Sequence, residues 1–126
     1  MNRDFLLAII LLIVIDLIWL VPFAGPAYQK MVPRIQGGSK MEVNLYAGAI
    51  VYLLMAFVLV QYGLPSRGAK KFNFMKPFLL GVCVYGVYDF TAAAVLKNWN
   101  IPLAIGDTIW GGILFTATAY TLWRFF

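Results

Sequence analysis

The chain has 126 residues, 63% of them hydrophobic and 12% charged, with a mean hydropathy of +0.83, which lies outside the soluble globular range and describes an integral membrane protein. The net charge of +5 does not point to nucleic acid, because the ten basic residues gather at the edges of apolar runs, where Lys and Arg set topology and meet anionic head groups. No histidine is present and Cys83 is the single cysteine, which excludes a His/Cys zinc site and an intrachain disulfide.

Four apolar runs, each near the roughly 20 residues that a helical span needs, account for nearly all the length. They predict one all-α domain, an integral membrane four-helix bundle, with helices at about residues 5–23, 43–63, 77–96 and 102–123. Arg3 followed by an apolar stretch resembles a signal peptide. Asp16 inside that stretch, and Pro22 and Pro26 where a small-residue cleavage site would lie, argue that it stays as a membrane helix.

Asp4 suits the positive end of the first helix, and Pro22, Gly25 and Pro26 are expected to end or kink it. Residues 27–40 mix Tyr28, Met31, Val32 and Ile35 with Lys30, Arg34 and Gln36, the composition of a short interfacial segment in the head-group layer. Pro33 is expected to prevent one long regular helix there, with Gly37, Gly38 and Ser39 as the joint. The second span, from about Val43, carries no charge. A loop with Arg67, Lys70, Lys71 and Lys76 follows, and Phe72 and Phe74 in it can dip into the head-group zone.

Pro77 opens the third span at a position where its missing N–H has no intrahelical partner. A short polar connection, Lys97 to Asn100, leads to the fourth. Hairpin topology places Arg3, Arg67, Lys70, Lys71, Lys76 and Arg124 on one side against Lys30, Arg34, Lys40 and Lys97 on the other, a weak bias toward cytoplasmic termini.

Three aspartates, Asp16, Asp89 and Asp107, lie inside these spans, where a carboxylate costs roughly 2.5 to 3.5 kcal/mol on insertion scales. Counted from the ends opposite the basic loop, and with alternating helix directions, all three reach one level, ~7 to 11 Å inside the boundary. Their faces agree. Gly81, Tyr85, Asp89 and Ala92 share one side of the third helix; Asp107, Trp110, Gly111, Leu114, Thr118 and Thr121 share one side of the fourth; Ile9, Leu12, Asp16, Trp19 and Leu20 do so on the first. Small residues that let helices approach, with polar residues among them, are the composition of a membrane helix interface.

The expected site is a polar pocket lined by Asp16, Asp89 and Asp107, with Tyr85, Tyr88, Thr91, Trp19 and Trp110 nearby. Three ionised carboxylates so close would repel one another, and a proton or a cation would relieve the strain; Lys97 and Lys40 are the side-chain counter-charges at the adjacent edge. Trp99 and Trp123 suit the role of interfacial anchors. The spacing D-x-x-W occurs twice, as Asp16 with Trp19 and as Asp107 with Trp110. Glycines 81, 86, 111 and 112 read as packing residues, and Cys83 as a small core residue.

The run Tyr85-Gly86-Val87-Tyr88-Asp89-Phe90-Thr91, then Trp99, then Asp107-Thr108-Ile109-Trp110-Gly111, resembles the pattern of a family of small four-helix membrane proteins, domain of unknown function 2177. Asp16, Trp19, Leu20 and Tyr28 are similar to its amino-terminal element, and Tyr52-Leu53-Leu54 to its second-helix motif. Two positions depart from the pattern: Ala92 stands where Asn is common, and Met55 where a second aromatic is frequent. The resemblance implies the four-helix fold and the pocket residues, and no activity.

The residues fit best a small transporter or ion- and proton-handling protein whose aspartates bind a proton, a cation or a cationic solute, working as a homodimer in the lipid bilayer. The alternative is an assembly or stability factor for a membrane complex. An intramembrane lipid-modifying enzyme ranks third, because no D-D-x-x-D or D-x-D cluster of the kind that holds a metal and diphosphate is present. No cofactor is implied.

Overall fold

A computed structural model of the chain describes residues 2–39, 41–42, 44–66 and 68–126, without the side chain of Asn2. Lys40, Val43 and Arg67 therefore lie outside the described residues. The described residues contain no strand, and four helical stretches are long and apolar enough to cross a membrane: Arg3–Ile35, Leu45–Gly63, Met75–Val95 and Ile101–Phe125.

The first stretch differs most from expectation. Helix α1 (Asn2–Trp19) passes through a π turn (Leu20–Ala24) straight into α2 (Gly25–Ile35), so Pro22 and Pro26 do not end it and Pro33 does not prevent helix in the segment that follows. The reason lies in the turn. The Gly25 N–H bonds the Leu20 carbonyl five residues back, and this wider loop of backbone accommodates proline rings that would crowd a regular turn. A Cβ on Gly25 would stand 2.5 Å from the Leu20 oxygen, which only glycine avoids. Helix α2 ends where Gly37 (φ 67°) and Gly38 (φ 99°) turn left-handed and the Gly38 N–H bonds the Pro33 carbonyl at 2.7 Å.

The π turn also sets a phase. Asp16 and Tyr28 are twelve residues apart, which in a regular helix leaves them ~120° apart around the axis; the one extra residue of a π turn removes ~100° of that. Tyr28 consequently shares the face of Asp16. At 33 residues this helix is about 50 Å long against a hydrocarbon core of about 30 Å, so its last turns reach past the apolar layer or tilt.

Helix α3 (Leu45–Val58) starts at Asn44, whose side chain accepts the Ala47 N–H at 3.1 Å, and ends in a second π turn (Leu59–Gly63). Helix α4 (Met75–Val95) opens on an Asn73 side chain that accepts the Met75 N–H at 3.1 Å, with Pro77 in its first turn. Asn98, at φ 65°, tightens the short connection to α5 (Ile101–Phe125). That helix is capped by Asn100, which accepts the Leu103 N–H at 3.0 Å. The cap fixes Asp107 in the second turn of α5.

The core joins Ala8 and Leu12 of α1, Met55 and Ala56 of α3, Leu59, and Leu114, Phe115 and Ala119 of α5. The α4–α5 pairing is the most extensive. It depends on glycine: a Cβ on Gly81 would meet the Gly111 carbonyl carbon at 2.7 Å, and one on Gly111 would meet the Tyr85 Cβ at 2.6 Å. On the faces predicted to turn inward, Leu12, Asp16, Gly81, Asp89, Ala92, Asp107, Gly111, Leu114 and Thr118 are buried. Leu6, Ile10, Ile50, Leu54, Val87, Ile109 and Ile113 are exposed, the outward apolar coat that a lipid-embedded chain presents. Cys83, expected in the core, is on this outer side, exposed and free.

Candidate functional site

Asp16 is buried, and its carboxylate is enclosed by donors. Oδ1 accepts from the Trp110 indole at 2.7 Å and Oδ2 accepts from the Tyr52 hydroxyl. Donors from α3 and α5 thus converge on one acid from α1. A buried carboxylate met by such donors is fixed in place, and removing any one of them leaves an acceptor short.

Asp107 is joined to Asp16 by a crossed arrangement. The Trp19 indole donates to Asp107 Oδ1 at 3.0 Å, and the Trp19 and Trp110 rings stack with centroids 5.7 Å apart and planes 15° apart. Residue 16 pairs with 110 and residue 19 with 107, as opposed chain directions require. D-x-x-W puts each tryptophan nearly one turn beyond its aspartate on the same face, so two such motifs on antiparallel helices brace one another.

Asp89 has no exposed surface and is held less tightly. The Tyr28 hydroxyl lies 3.3 Å from Asp89 Oδ1 and 3.4 Å from Asp107 Oδ2, longer than the usual 2.5 to 3.0 Å of an O–H···O bond, and its single hydrogen serves two acceptors. Asp89 and Asp107 meet through this shared hydroxyl, while Asp89 Oδ2, buried, has no hydrogen-bond partner. Around this half, the Trp99 ring stands 6.0 Å from that of Tyr28 at 59° and 6.1 Å from that of Tyr88 at 83°. The Trp99 indole N–H is buried without a partner.

Tyr85 packs against Gly111, next to Trp110, and six of the eight residues expected at the pocket are linked: Asp16, Asp89, Asp107, Trp19 and Trp110 by hydrogen bonds, and Tyr88 through its ring contact with Trp99. Thr91 is not; it is exposed, two residues and ~200° around α4 from Asp89. Three participants were not placed here by sequence reasoning: Tyr28, Tyr52 and Trp99. Lys97 is exposed, and among the described residues none of the three aspartates forms an ion pair. Lys40 lies outside the described residues. No group of three His, Cys, Asp or Glu among them is arranged to hold a metal ion.

The model of the family described as predicted membrane protein (DUF2177) matches residues 2–123. The chain belongs to that family. No curated protein and no solved structure matches it. In this DUF2177 chain the polar and aromatic residues that carried the resemblance, from Asp16, Trp19, Tyr28 and Tyr52 to Tyr85, Tyr88, Asp89, Trp99, Asp107 and Trp110, all touch the site or its aromatic wall, Thr91 excepted. Ala92, where the family pattern has Asn, is buried one turn beyond Asp89 on the same face.

Proposed function

We propose that this membrane protein is a small transporter or ion- and proton-handling protein whose buried aspartates bind and release a cation or a proton. What supports the reading is the contrast within the acid cluster. Asp16 is held by two donors, one on each oxygen, whereas the Asp89–Asp107 side has one long-range phenol hydrogen for two carboxyls and leaves Asp89 Oδ2 without a donor. Two carboxyls that share one tyrosine hydroxyl, one of them donor-poor, take up a positive charge between them at low cost. Asp16, Trp19, Trp110, Tyr52 and Tyr85 are the frame that fixes Asp107, and Asp89, Asp107 and Tyr28 are the exchanging part. The chain works as a homodimer, because four helices alone enclose too little volume for a path, and its basic loop and termini face the cytoplasm.

The test is flux. Reconstituted in proteoliposomes, the wild-type protein carries a pH-dependent current or dye signal, and Asp89→Asn and Asp107→Asn each remove it while the protein remains folded. Flux that both variants leave unchanged defeats the reading.

A further inference from the structure

We infer that the Asp89 half of the cluster is a binding site for a primary ammonium group, with the carboxyls of Asp89 and Asp107 as its anionic floor and the rings of Tyr28, Tyr88 and Trp99 as its wall. This rests on the reading of those aspartates as a cation-exchanging pair and adds the class of cation.

Three observations select it. First, Asp89 is fully buried and its Oδ2 is a carboxylate oxygen with no donor, so the missing group must bring a hydrogen to donate or be a metal. Second, a hard metal ion is poorly served: Mg²⁺ and Ca²⁺ take about six or more oxygen ligands, and no metal-holding group of three such side chains exists among the described residues. Third, the neighbouring side chains are aromatic, with Trp99 tilted 59° to Tyr28 and edge-on at 83° to Tyr88. Ring faces attract organic cations, and rings beside a carboxylate suit an –NH₃⁺ on a short apolar body.

Binding replaces a proton. The ammonium enters as R–NH₃⁺, a proton held at Asp89 leaves to water, and the charge of the site is unchanged. The other titratable groups facing it are Tyr28 of α2 and Tyr88 of α4, with Asp16, Tyr52 and Tyr85 on the far side of Asp107; no lysine or arginine pairs with the aspartates among the described residues.

The experiment uses the full chain in nanodiscs of phosphatidylcholine and phosphatidylglycerol, which carry no primary amine, in weak buffer with a pH dye and with tryptophan fluorescence recorded. Ethylammonium should release a proton and change the fluorescence; Na⁺, Mg²⁺ and tetramethylammonium, which lacks N–H, should not. Asp89→Asn should abolish the response. Trp99→Leu and Tyr88→Leu should each weaken half-saturation about 5- to 30-fold, and Trp99→Phe should restore most of it, which separates a ring contact from misfolding.

A response to Na⁺ or Mg²⁺ equal to that of ethylammonium, with Trp99→Leu like wild type, overturns the ammonium site and leaves cation exchange standing. No response to any cation overturns both. Repeating the titration with phosphatidylethanolamine in the discs decides the source: a reduced ethylammonium response identifies a lipid head group as the occupant, and an undiminished one a soluble amine.

Discussion

Trp19 and Trp110 stack with centroids 5.7 Å apart, and each donates its indole hydrogen to the aspartate on the other's helix, Trp19 to Asp107 at 3.0 Å and Trp110 to Asp16 at 2.7 Å. The repeated D-x-x-W spacing is thus a matched pair on two opposed helices. A tandem copy of a helical hairpin would have put the second motif on α4, so the echo reflects how α1 and α5 brace, and not duplication. Trp110→Phe keeps a ring but removes the donor to a buried carboxylate, and it should cost about 1 to 3 kcal/mol in unfolding measured in detergent micelles. The loss should shrink when Asp16→Asn is already present, because the two residues share one interaction. Full additivity would separate them.

The two buried acids should respond in opposite ways to loss of charge. At Asp16, an amide places N–H donors against the tryptophan and tyrosine donors already there, so Asp16→Asn destabilises by about 1 to 3 kcal/mol. At Asp89, the same change removes a buried charge whose Oδ2 no donor meets, and stability is unchanged or raised. Thermal unfolding of the two variants side by side checks the contrast.

The π turn has its own consequence. Gly25→Ala sets a methyl 2.5 Å from the Leu20 oxygen and should cost about 1 to 3 kcal/mol through forced backbone shifts. Deleting the exposed Val21 restores a regular turn and rotates Tyr28 by ~100° away from the aspartates. In that background Tyr28→Phe should have no further effect on stability or ligand response, whereas in the wild-type chain it has one.

Close approach of α4 and α5 predicts a further sensitivity. Gly111→Ala pushes against the Tyr85 side chain, whose Cβ would stand 2.6 Å from the added methyl. The variant should lose about 1 to 3 kcal/mol. Gly48→Ala, where nothing lies within 4 Å of an added Cβ, should not, and the pair makes an internal control in the same unfolding assay.

Reading the sequence located the aspartates but not all that surrounds them. Depth was legible because apolar length fixes span ends, and a count of residues from those ends brings Asp16, Asp89 and Asp107 to one level. Thr91 could have been set aside by the same arithmetic, since two residues along a helix is the wrong side. Tyr28 could not be placed, because Pro22 and Pro26 read as a break and the phase across them depends on a single extra residue in the turn. Trp99 read as an interfacial anchor; its position next to Tyr28 follows from the left-handed Asn98 and from the Asn100 N–H bonded to the Met31 sulfur at 3.1 Å, neither visible in composition. Tyr52 was part of a motif with no known neighbour until α3 packed on α1.

The division of labour among the three acids can be measured directly by recording the carboxyl carbon signals of isotope-labelled aspartates by NMR in bilayers while pH or ethylammonium is varied. As ethylammonium is added at fixed pH, the Asp89 and Asp107 signals should move together along one curve while that of Asp16 holds still. Independent curves for Asp89 and Asp107, or an Asp16 signal that travels with them, would contradict the account.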